Sequence, residues 1–314
     1  MLRKIQSKHL FIVIIAALAL NAISFLVAYP EITELEFETL ARDFSAYYMG
    51  TWRLYNNPTQ VYYDGSLPND YLIVGTPQPF KYTPSFLLLM TPFLGLNYMD
   101  ALVLFNFLQF ALMPLLAFFV YKLVKDRSFA VAAITAVIVL VSPIPTPASN
   151  IPYVEPISVL GLFDINQQCF SPSYYCGYAY VNAHVLQTVL LVGALYFGAT
   201  KKPILSALFF SFGLLDPRAA LVAAPLLLWY NRQKIRRFIL ASIVVGVATI
   251  LPFFFYNGVG LDFLRMGLSA NIIGQSYAYD WIPIYAVIAL TAVEVYSVIG
   301  KKRKGAALVD DLQR

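Results

Sequence analysis

The sequence predicts an all-α protein, a polytopic transmembrane helical bundle of about eight to ten spans that forms a single domain over residues 1–314. Hydrophobic residues make up 59% of the 314 residues and charged residues 12%, and the mean hydropathy is +0.67. A soluble domain has about 25% charged residues, so lipid is the expected solvent. The apolar residues fall into long runs with short basic segments between them, which is typical of a polytopic membrane protein.

The first predicted span is the apolar run from His9 to Ala28. Its length is close to the ~20 residues that a helix needs to cross a bilayer. Because Arg3, Lys4 and Lys8 precede it, the N-terminus is expected in the cytoplasm. No small-residue cleavage site is present, which favours an uncleaved span over a signal peptide.

Eight further apolar runs follow the first one. If both chain ends lie in the cytoplasm, the number of crossings is even, whereas nine runs are counted in all. The weakest run is short and contains Pro84 and Pro92, so it is interpreted as re-entrant or half-spanning. The alternative is that it spans and that the basic segment 122–127 lies outside. The eight runs are Thr83 to Leu96, Ala101 to Val124, Phe129 to Val141, Val181 to Ala199, Pro203 to Leu215, Ala219 to Tyr230, Phe238 to Phe255 and Trp281 to Ile299.

Two polar loops are expected outside the membrane, residues 30–81 and residues 143–180. The first loop is acidic and carries aromatic residues at helical spacing, which predicts an amphipathic helix whose aromatic face lies in the membrane interface. Asp43 marks the start of this helix, and Asn56-Asn57-Pro58 marks its end. The aromatic residues are Phe44, Tyr47, Tyr48, Trp52 and Tyr55.

Asp43 and Lys81 belong to this first loop, and each has two interpretations. Asp43 is either a helix N-cap that accepts backbone N–H groups or a general base whose proton affinity is raised by low-dielectric surroundings. Lys81 stands before Pro84, which fits the first turn of a helix entering the membrane. The Lys81 ammonium is either a snorkelling interfacial group or a phosphate contact for a lipid-linked donor.

Arg218 and His184 are the corresponding candidates in the second half of the chain. Arg218 follows Asp216-Pro217 between two apolar runs. It either pairs with Asp216, which would cap the helix at Pro217, or clamps a phosphate through its forked donors. His184 stands at the outer start of a span and is either a hydrogen-bonded packing residue or a group that polarises a phosphate or hydroxyl.

Other patterns narrow the class of protein. Cys169 and Cys176 lie in the second outer loop, where a disulfide closing a small loop is expected; free thiols are the alternative if that segment is inside. They have no metal-ligand spacing, so no metal site is predicted. The absence of a Walker loop and of GxGxxG, HExxH and GxSxG motifs disfavours an ATP-driven pump and a cytoplasmic sugar-nucleotide enzyme. The basic residues cluster between spans, so nucleic acid is not an expected partner.

Several short motifs follow one another in order along the chain. They are Asp43-Phe44-x-x-Tyr47-Tyr48 with Trp52 and Leu54, Val61-Tyr62, Phe80-x-Tyr82-x-Pro84 with its Leu-rich tail to Pro92, Asn182 before a Leu-rich span, and Pro217-Arg218. Their order resembles that of C-type (GT-C fold) polyprenyl-phosphate-sugar-dependent glycosyltransferases, and among these the alpha-mannosyltransferase-like family 87. Two departures are Thr83 where the family has Pro, and Asp216 where it has Lys.

The resemblance implies sugar transfer on the outer face of a cell membrane. The donor would be a polyprenyl- or dolichyl-phosphate sugar, with mannose as the expected sugar, and the acceptor a hydroxyl of a glycan or glycolipid, with no cofactor. Asp43 would be the general base, and Arg218, with Lys81 or His184, would stabilise charge on the donor phosphate. The residues that would shape the sugar and acceptor site are Tyr47, Tyr48, Trp52 and Asn182.

A membrane transporter and a non-catalytic membrane scaffold are the alternatives. A transporter typically has ionisable residues along its spans and often two related halves. The predicted spans are nearly free of charge, with Glu294 the main exception, and no halves are found. A scaffold would be a degenerate member of an enzyme family. The sequence leaves open the sugar, the acceptor and the oligomeric state.

Overall fold

The computed structural model describes residues 2–34, 42–62, 80, 82–141, 184–215, 217–267, 287–296 and 298. Within these ranges every regular element is a helix, which confirms the predicted all-α class for this part of the chain. The α-helices are α1 (Leu2–Glu34), α2 (Arg42–Asn56), α3 (Pro84–Met90), α4 (Tyr98–Val124), α5 (Phe129–Val141), α6 (His184–Ala199), α7 (Pro203–Gly213), α8 (Pro217–Asn231), α9 (Ile235–Phe255), α10 (Val259–Asp262) and α11 (Val287–Tyr296).

Three stretches of the described residues are long and apolar enough to cross a membrane. They are Gln6–Ile23 in α1, Tyr98–Val124, which is the whole of α4, and Ala220–Phe255. The last stretch joins α8 and α9 across the 3-10 turn Arg232–Lys234. Shorter apolar helices accompany these three. The chain therefore has the helices of an α-helical membrane protein.

The helix boundaries follow from local chemistry. Pro84, Pro203 and Pro217 are each the first residue of a helix, a position that tolerates proline because the N–H it lacks has no intrahelical partner there. The Asn97 side chain accepts a hydrogen bond from the Asp100 backbone N–H and so caps α4. The predicted helix after Asp43 is present as α2, and it ends at Asn56 as predicted.

Ring and hydrogen-bond contacts give the directions of the central helices. Phe119 of α4 lies 5.2 Å from Tyr196 of α6, ring centroid to ring centroid, and both residues are near the ends of their helices. Helices α4 and α6 therefore run in the same direction. Ser206, near the start of α7, donates to the Ala194 carbonyl near the end of α6 at 2.8 Å, so α6 and α7 are antiparallel.

One end of the bundle, called the basic end here, collects the basic turns 125–128, 200–202 and 232–234. Lys234 Nζ donates to the Lys201 carbonyl at 3.1 Å, which joins the second and third turns. The N-terminal part of α1 reaches the same end, because the His9 and Phe129 ring centroids are 6.0 Å apart. Three of the basic segments that the positive-inside rule places on one side of the membrane therefore meet at this end. The fourth, residues 301–304, lies outside the described residues.

The opposite end of the bundle, called the aromatic end, carries a second apolar cluster. Helix α2 and residues 84–95 pack there on the first turns of α4, together with Leu215, Phe253 and Val259 from the later helices. The aromatic residues of this aromatic cluster are Phe44, Tyr47, Tyr48, Tyr62, Phe80, Phe86, Phe93, Tyr98, Phe105, Phe253 and Phe263.

The aromatic face of α2 has a different environment from the predicted membrane interface. Phe44 and Tyr47 are 0% exposed because α3, α4 and residues 91–95 cover them, and within this face Tyr55 is exposed. Protein, and not lipid, therefore covers most of this face. Helical spacing identifies an apolar face of a helix, but it does not show whether lipid or the protein interior covers that face.

The proline-containing run Thr83 to Leu96 stays at the aromatic end. It begins where the Thr83 N–H donates to the Leu215 carbonyl at 3.4 Å and ends at Asn97, the cap of α4. Among the described helices, α4, α6, α7, α8 and α9 each have one end at the basic turns and the other beside the aromatic cluster.

Candidate active site at the aromatic end

Tyr47 joins two of the sequence motifs at the centre of the aromatic cluster. Its ring centroid is 4.8 Å from that of Tyr82 and 4.7 Å from that of Phe86. The two tyrosine hydroxyls are 3.2 Å apart, with Tyr47 Oη donating to Tyr82 Oη. The motif at the start of α2 is therefore packed directly on the motif that leads into α3.

Phe44 and Tyr48 fix α2 on the start of α4. The Phe44 ring centroid lies 5.5 Å from that of Tyr98 and 5.2 Å from that of Phe105. Tyr48 Oη donates to the Leu96 carbonyl at 2.7 Å. Burial raises the pKa of Tyr48 above its usual value, so its hydroxyl stays protonated and remains a donor. These contacts hold the backbone next to Asp43 in one position.

Tyr62 ties a third motif to the same cluster. Its hydroxyl donates to the Tyr82 carbonyl at 2.8 Å, and its ring centroid lies 5.4 Å from that of Phe80 and 5.7 Å from that of Phe263. Burial, and then the nearby charge of Asp262, raise the pKa of Tyr62 well above its usual value. The Val61-Tyr62 motif thus connects residues 80–84 with the segment after α9.

The turn before α8 reaches the cluster through the backbone. The Thr83 N–H donates to the Leu215 carbonyl at 3.4 Å, and the hydroxyls of Thr83 and Ser85 are 2.9 Å apart. Leu215 is 1% exposed. The Tyr82-Thr83-Pro84 motif and the turn that precedes Pro217 are therefore neighbours in space, although more than 130 residues separate Thr83 from Leu215.

A set of buried neutral side chains, called the polar layer here, lies where the aromatic cluster meets the larger apolar cluster of the bundle. Both polar side-chain atoms of Asn106, the Oε1 of Gln109 and the hydroxyls of Thr188 and Ser211 have no hydrogen-bond partner within the described residues. These residues belong to the neighbouring helices α4, α6 and α7. A buried polar atom without a partner costs about 1–3 kcal/mol, so this layer is a feature that packing alone does not explain.

Sequence reasoning missed the polar layer, although part of it has a signal. Asn106 and Gln109 are three residues apart in an otherwise apolar run, which places them on one face of α4. Thr188 and Ser211 give no comparable signal, because single hydroxyl residues are common in apolar helices. In contrast with Asn106, Gln187 is satisfied, since its Nε2 donates to the Gly213 carbonyl at 3.2 Å.

No protein-family model, curated protein or solved structure matches this chain. The resemblance to sugar transferases therefore stays a prediction from the order of the motifs in the sequence.

The predicted charged residues lie at three helix starts. Asp43 is the second residue of α2, His184 the first residue of α6 and Arg218 the second residue of α8. Each of these helix starts is at the aromatic end, because Phe44, Leu186 and Leu215 beside them belong to the aromatic cluster or pack against it. The backbone arrangement thus brings the starts of these three helices to one end of the bundle.

The remaining predicted site residues divide into two groups. Tyr47 and Tyr48 are buried in the aromatic cluster, and Trp52 is half-buried and packs against it. The predicted second outer loop, residues 143–180, lies outside the described residues. The same is true of Lys81, Asn182, Cys169 and Cys176. Among the described residues, no group of three or more His, Cys, Asp and Glu side chains is arranged to hold a metal ion.

Proposed function

We propose that the protein is a membrane glycosyltransferase that acts at the aromatic end of the bundle. It transfers a sugar, with mannose as the implied sugar, from a polyprenyl- or dolichyl-phosphate donor to a hydroxyl acceptor. The observation that carries the proposal is the meeting of separate motifs: Tyr47 packs on Tyr82, and Thr83 is hydrogen-bonded to Leu215. Motifs that are distant in the sequence and share one function are expected to converge in this way.

The membrane orientation follows from the two ends of the bundle. The basic end lies in the cytoplasm according to the positive-inside rule, so the aromatic end faces outward. Helix α7 has 11 residues, or about 16 Å at 1.5 Å per residue. This is about half of the hydrocarbon core. Residues 84–95 stand beyond the end of α7 and occupy the outer half as a re-entrant segment.

The proposed reaction forms one C–O bond and breaks another. Asp43 takes the proton of the acceptor hydroxyl while the acceptor oxygen attacks the anomeric carbon of the donor. The bond between that carbon and the phosphate oxygen breaks, and the polyprenyl phosphate leaves with the electron pair. Arg218, with Lys81 or His184, stabilises the charge of the leaving phosphate, and such stabilisation is strongest in a water-poor site.

The buried tyrosines support this site by positioning it. Tyr47 and Tyr48 use their hydroxyls for Tyr82 and for the Leu96 carbonyl. They hold the start of α2 against α3 and α4, and with it the backbone of Asp43. Trp52 on the same face of α2 is only half-buried, so part of its ring is left to contact a substrate.

The test measures sugar transfer in membranes that contain the full chain, with a panel of polyprenyl-phosphate sugars. Asp43→Asn is compared with Asp100→Asn at equal abundance. Asp100 is a matched control because it is an exposed carboxylate at the same end, where it accepts a hydrogen bond from Asn97. Removing a general base lowers the rate by about 10²–10⁴-fold, whereas Asp100→Asn is expected to leave it nearly unchanged. Equal rates in the two variants would remove Asp43 as the base, and no turnover with any donor would contradict the proposed function.

A transporter is the second candidate, and the polar layer is the observation that favours it. Unpaired polar atoms between spans are typical of solute paths. The layer is uncharged, however, and Glu294 lies at the basic end in an ion pair with Arg127. Uptake of a labelled sugar into liposomes that contain the chain would favour the transporter, provided that no lipid-linked donor is consumed.

A further inference from the structure

Two turns at the basic end are held together as one surface. Residues 200–202 connect α6 to α7, and Arg232–Lys234 connects α8 to α9. Lys234 Nζ donates to the carbonyl of Lys201, which has a left-handed φ of 60°. The helices that begin at these turns, α7 and α9, lie side by side, since the ring centroids of Phe210 and Phe238 are 6.1 Å apart. We call this surface the paired turns.

The paired turns carry positive charge, and the helices on either side of the second turn and after the first contain no acidic residue that offsets it. Residues 200–215 and 217–255 contain no Asp or Glu. The turn after α4 is different, because it contains Asp126 and because its Arg127 is paired with Glu294. Among the described residues of the basic end, the largest group of basic residues is therefore at the paired turns. The basic residues of the paired turns are Lys201, Lys202, Arg232, Lys234, Arg236 and Arg237, and all six are exposed.

Two helix N-termini add to this positive potential. Neither α7 nor α9 has a side-chain cap at its N-terminus, and neither has an acidic residue in its first turn. The first N–H groups of a helix have no intrahelical partner and attract anions. The backbone N–H groups and the basic side chains of the paired turns thus both favour an anionic ligand.

The surface next to the paired turns is apolar and exposed. Ile204 on α7 is 65% exposed and Leu240 on α9 is 64% exposed. Leu208 and Ile243 continue this surface along the same two helices. A small aqueous anion would make no contact with these side chains, whereas the acyl chains of a phospholipid would cover them.

We propose that the paired turns bind the phosphate group of an anionic phospholipid, whose acyl chains lie along α7 and α9. Arg232 is held in place, because its guanidinium stacks 4.1 Å from the Trp229 ring centroid and donates to the Trp229 carbonyl at 3.0 Å. Lys202, Arg236 and Arg237 are the side chains that contact the phosphate. The site is at the opposite end from the proposed sugar transfer and does not depend on it.

The test uses the purified full chain and native mass spectrometry with phosphatidylglycerol and phosphatidylcholine. The variant is Lys202→Gln/Arg236→Gln/Arg237→Gln. Its matched control is Lys8→Gln/Lys122→Gln/Lys125→Gln, which removes the same charge from exposed positions at the same end. Each basic residue near an anionic lipid contributes about 1 kcal/mol, so the first variant is expected to lose at least about tenfold in phosphatidylglycerol retention, and the control to lose much less.

A conservative variant guards against loss of the fold. Lys202→Arg/Arg236→Lys/Arg237→Lys keeps every charge and is expected to retain phosphatidylglycerol. Equal losses in the two triple-glutamine variants would overturn the proposal, because they would show a general effect of surface charge. Equal retention of the two lipids by the parent chain would overturn it as well.

Discussion

Gly50→Ala is expected to destabilise the aromatic end, although alanine is the better helix former. A Cβ at position 50 would lie 2.7 Å from Phe80 Cγ and Cδ2 and 3.0 Å from Phe80 Cβ. The Phe80 ring is 3% exposed and is enclosed by Tyr62 and Tyr82. Since Phe80 Cβ is itself too close, rotation of the ring alone does not relieve the contact, and α2 has to move away from residue 80.

The magnitude follows from two opposing terms. An added methyl group in a packed core costs about 1–3 kcal/mol, and replacing glycine by alanine inside a helix gains about 1 kcal/mol. The expected net loss in the free energy of unfolding is therefore up to about 2 kcal/mol. Gly246→Ala is the matched control, because Gly246 lies inside α9 and a Cβ there would meet no atom within 4 Å. This control is expected to gain up to about 1 kcal/mol.

The assay is thermal unfolding of the purified chain in one detergent at one scan rate, followed by circular dichroism. Gly50→Ala is expected to lower Tm and Gly246→Ala to leave it unchanged or raise it. Phe80→Leu combined with Gly50→Ala is expected to cost less than the sum of the two single changes. A Gly50→Ala variant as stable as the Gly246→Ala control would refute the proposed packing of α2 on residue 80.

Three further predictions concern other parts of the molecule. Glu294→Gln removes the ion pair with Arg127 and weakens the hydrogen bonds from Tyr230 Oη and Trp229 Nε1. We expect the free energy of unfolding to fall by about 1–3 kcal/mol, measured by thermal unfolding. An unchanged Tm would show that Glu294 does not stabilise the basic end. Thr188→Val removes a buried hydroxyl without a partner and is expected to raise Tm. Thr135→Val is the control and is not expected to raise Tm, because the Thr135 hydroxyl donates to the Val131 carbonyl. A lower Tm for Thr188→Val alone would show that the Thr188 hydroxyl is hydrogen-bonded. The pKa of Tyr62 is raised in the folded chain, so the stability that Tyr62 contributes is fully present below the usual tyrosine pKa of about 10 and is lost as pH rises through the folded pKa. We therefore expect the stability of the chain to fall above about pH 10 and to fall less steeply in Tyr62→Phe. Identical pH profiles for the two chains would show that Tyr62 does not cause the loss.

The sequence predicts helix boundaries well where proline or a capping residue fixes them. Pro84, Pro203 and Pro217 each begin a helix as expected, and α2 ends before Asn57-Pro58. These signals are local, since proline restricts its own φ and the conformation of the residue before it. Tertiary contacts have little influence on them.

The environment of an apolar face is harder to predict. The aromatic residues of α2 have the spacing of an interfacial helix, yet α3 and α4 cover Phe44 and Tyr47. Lipid and protein interior both favour apolar side chains, so the pattern is the same in the two cases. The run Thr83 to Leu96 was easier to interpret from the sequence. Its prolines and its short length indicated a segment that does not run between the two ends, and in the structure it stays at the aromatic end.

The candidate site could be predicted only as a set of separate residues. The sequence singled out Asp43, His184 and Arg218 as separate candidates, but it does not show that the starts of α2, α6 and α8 share one end. That arrangement depends on contacts such as Thr83 with Leu215. The polar layer depends on which faces of α4, α6 and α7 meet, and this information is likewise absent from periodicity.

The measurement that tests the central claim most directly is the stoichiometry of a single turnover. The full chain is mixed with an excess of the acceptor and a limiting amount of polyprenyl-phosphate mannose, and both the glycoside and the released polyprenyl phosphate are measured by mass spectrometry. The proposed function predicts equal amounts of the two products in the parent chain and in Asp100→Asn, and neither product in Asp43→Asn. A donor that remains intact while mannose crosses the membrane, or equal product in Asp43→Asn, would contradict the account.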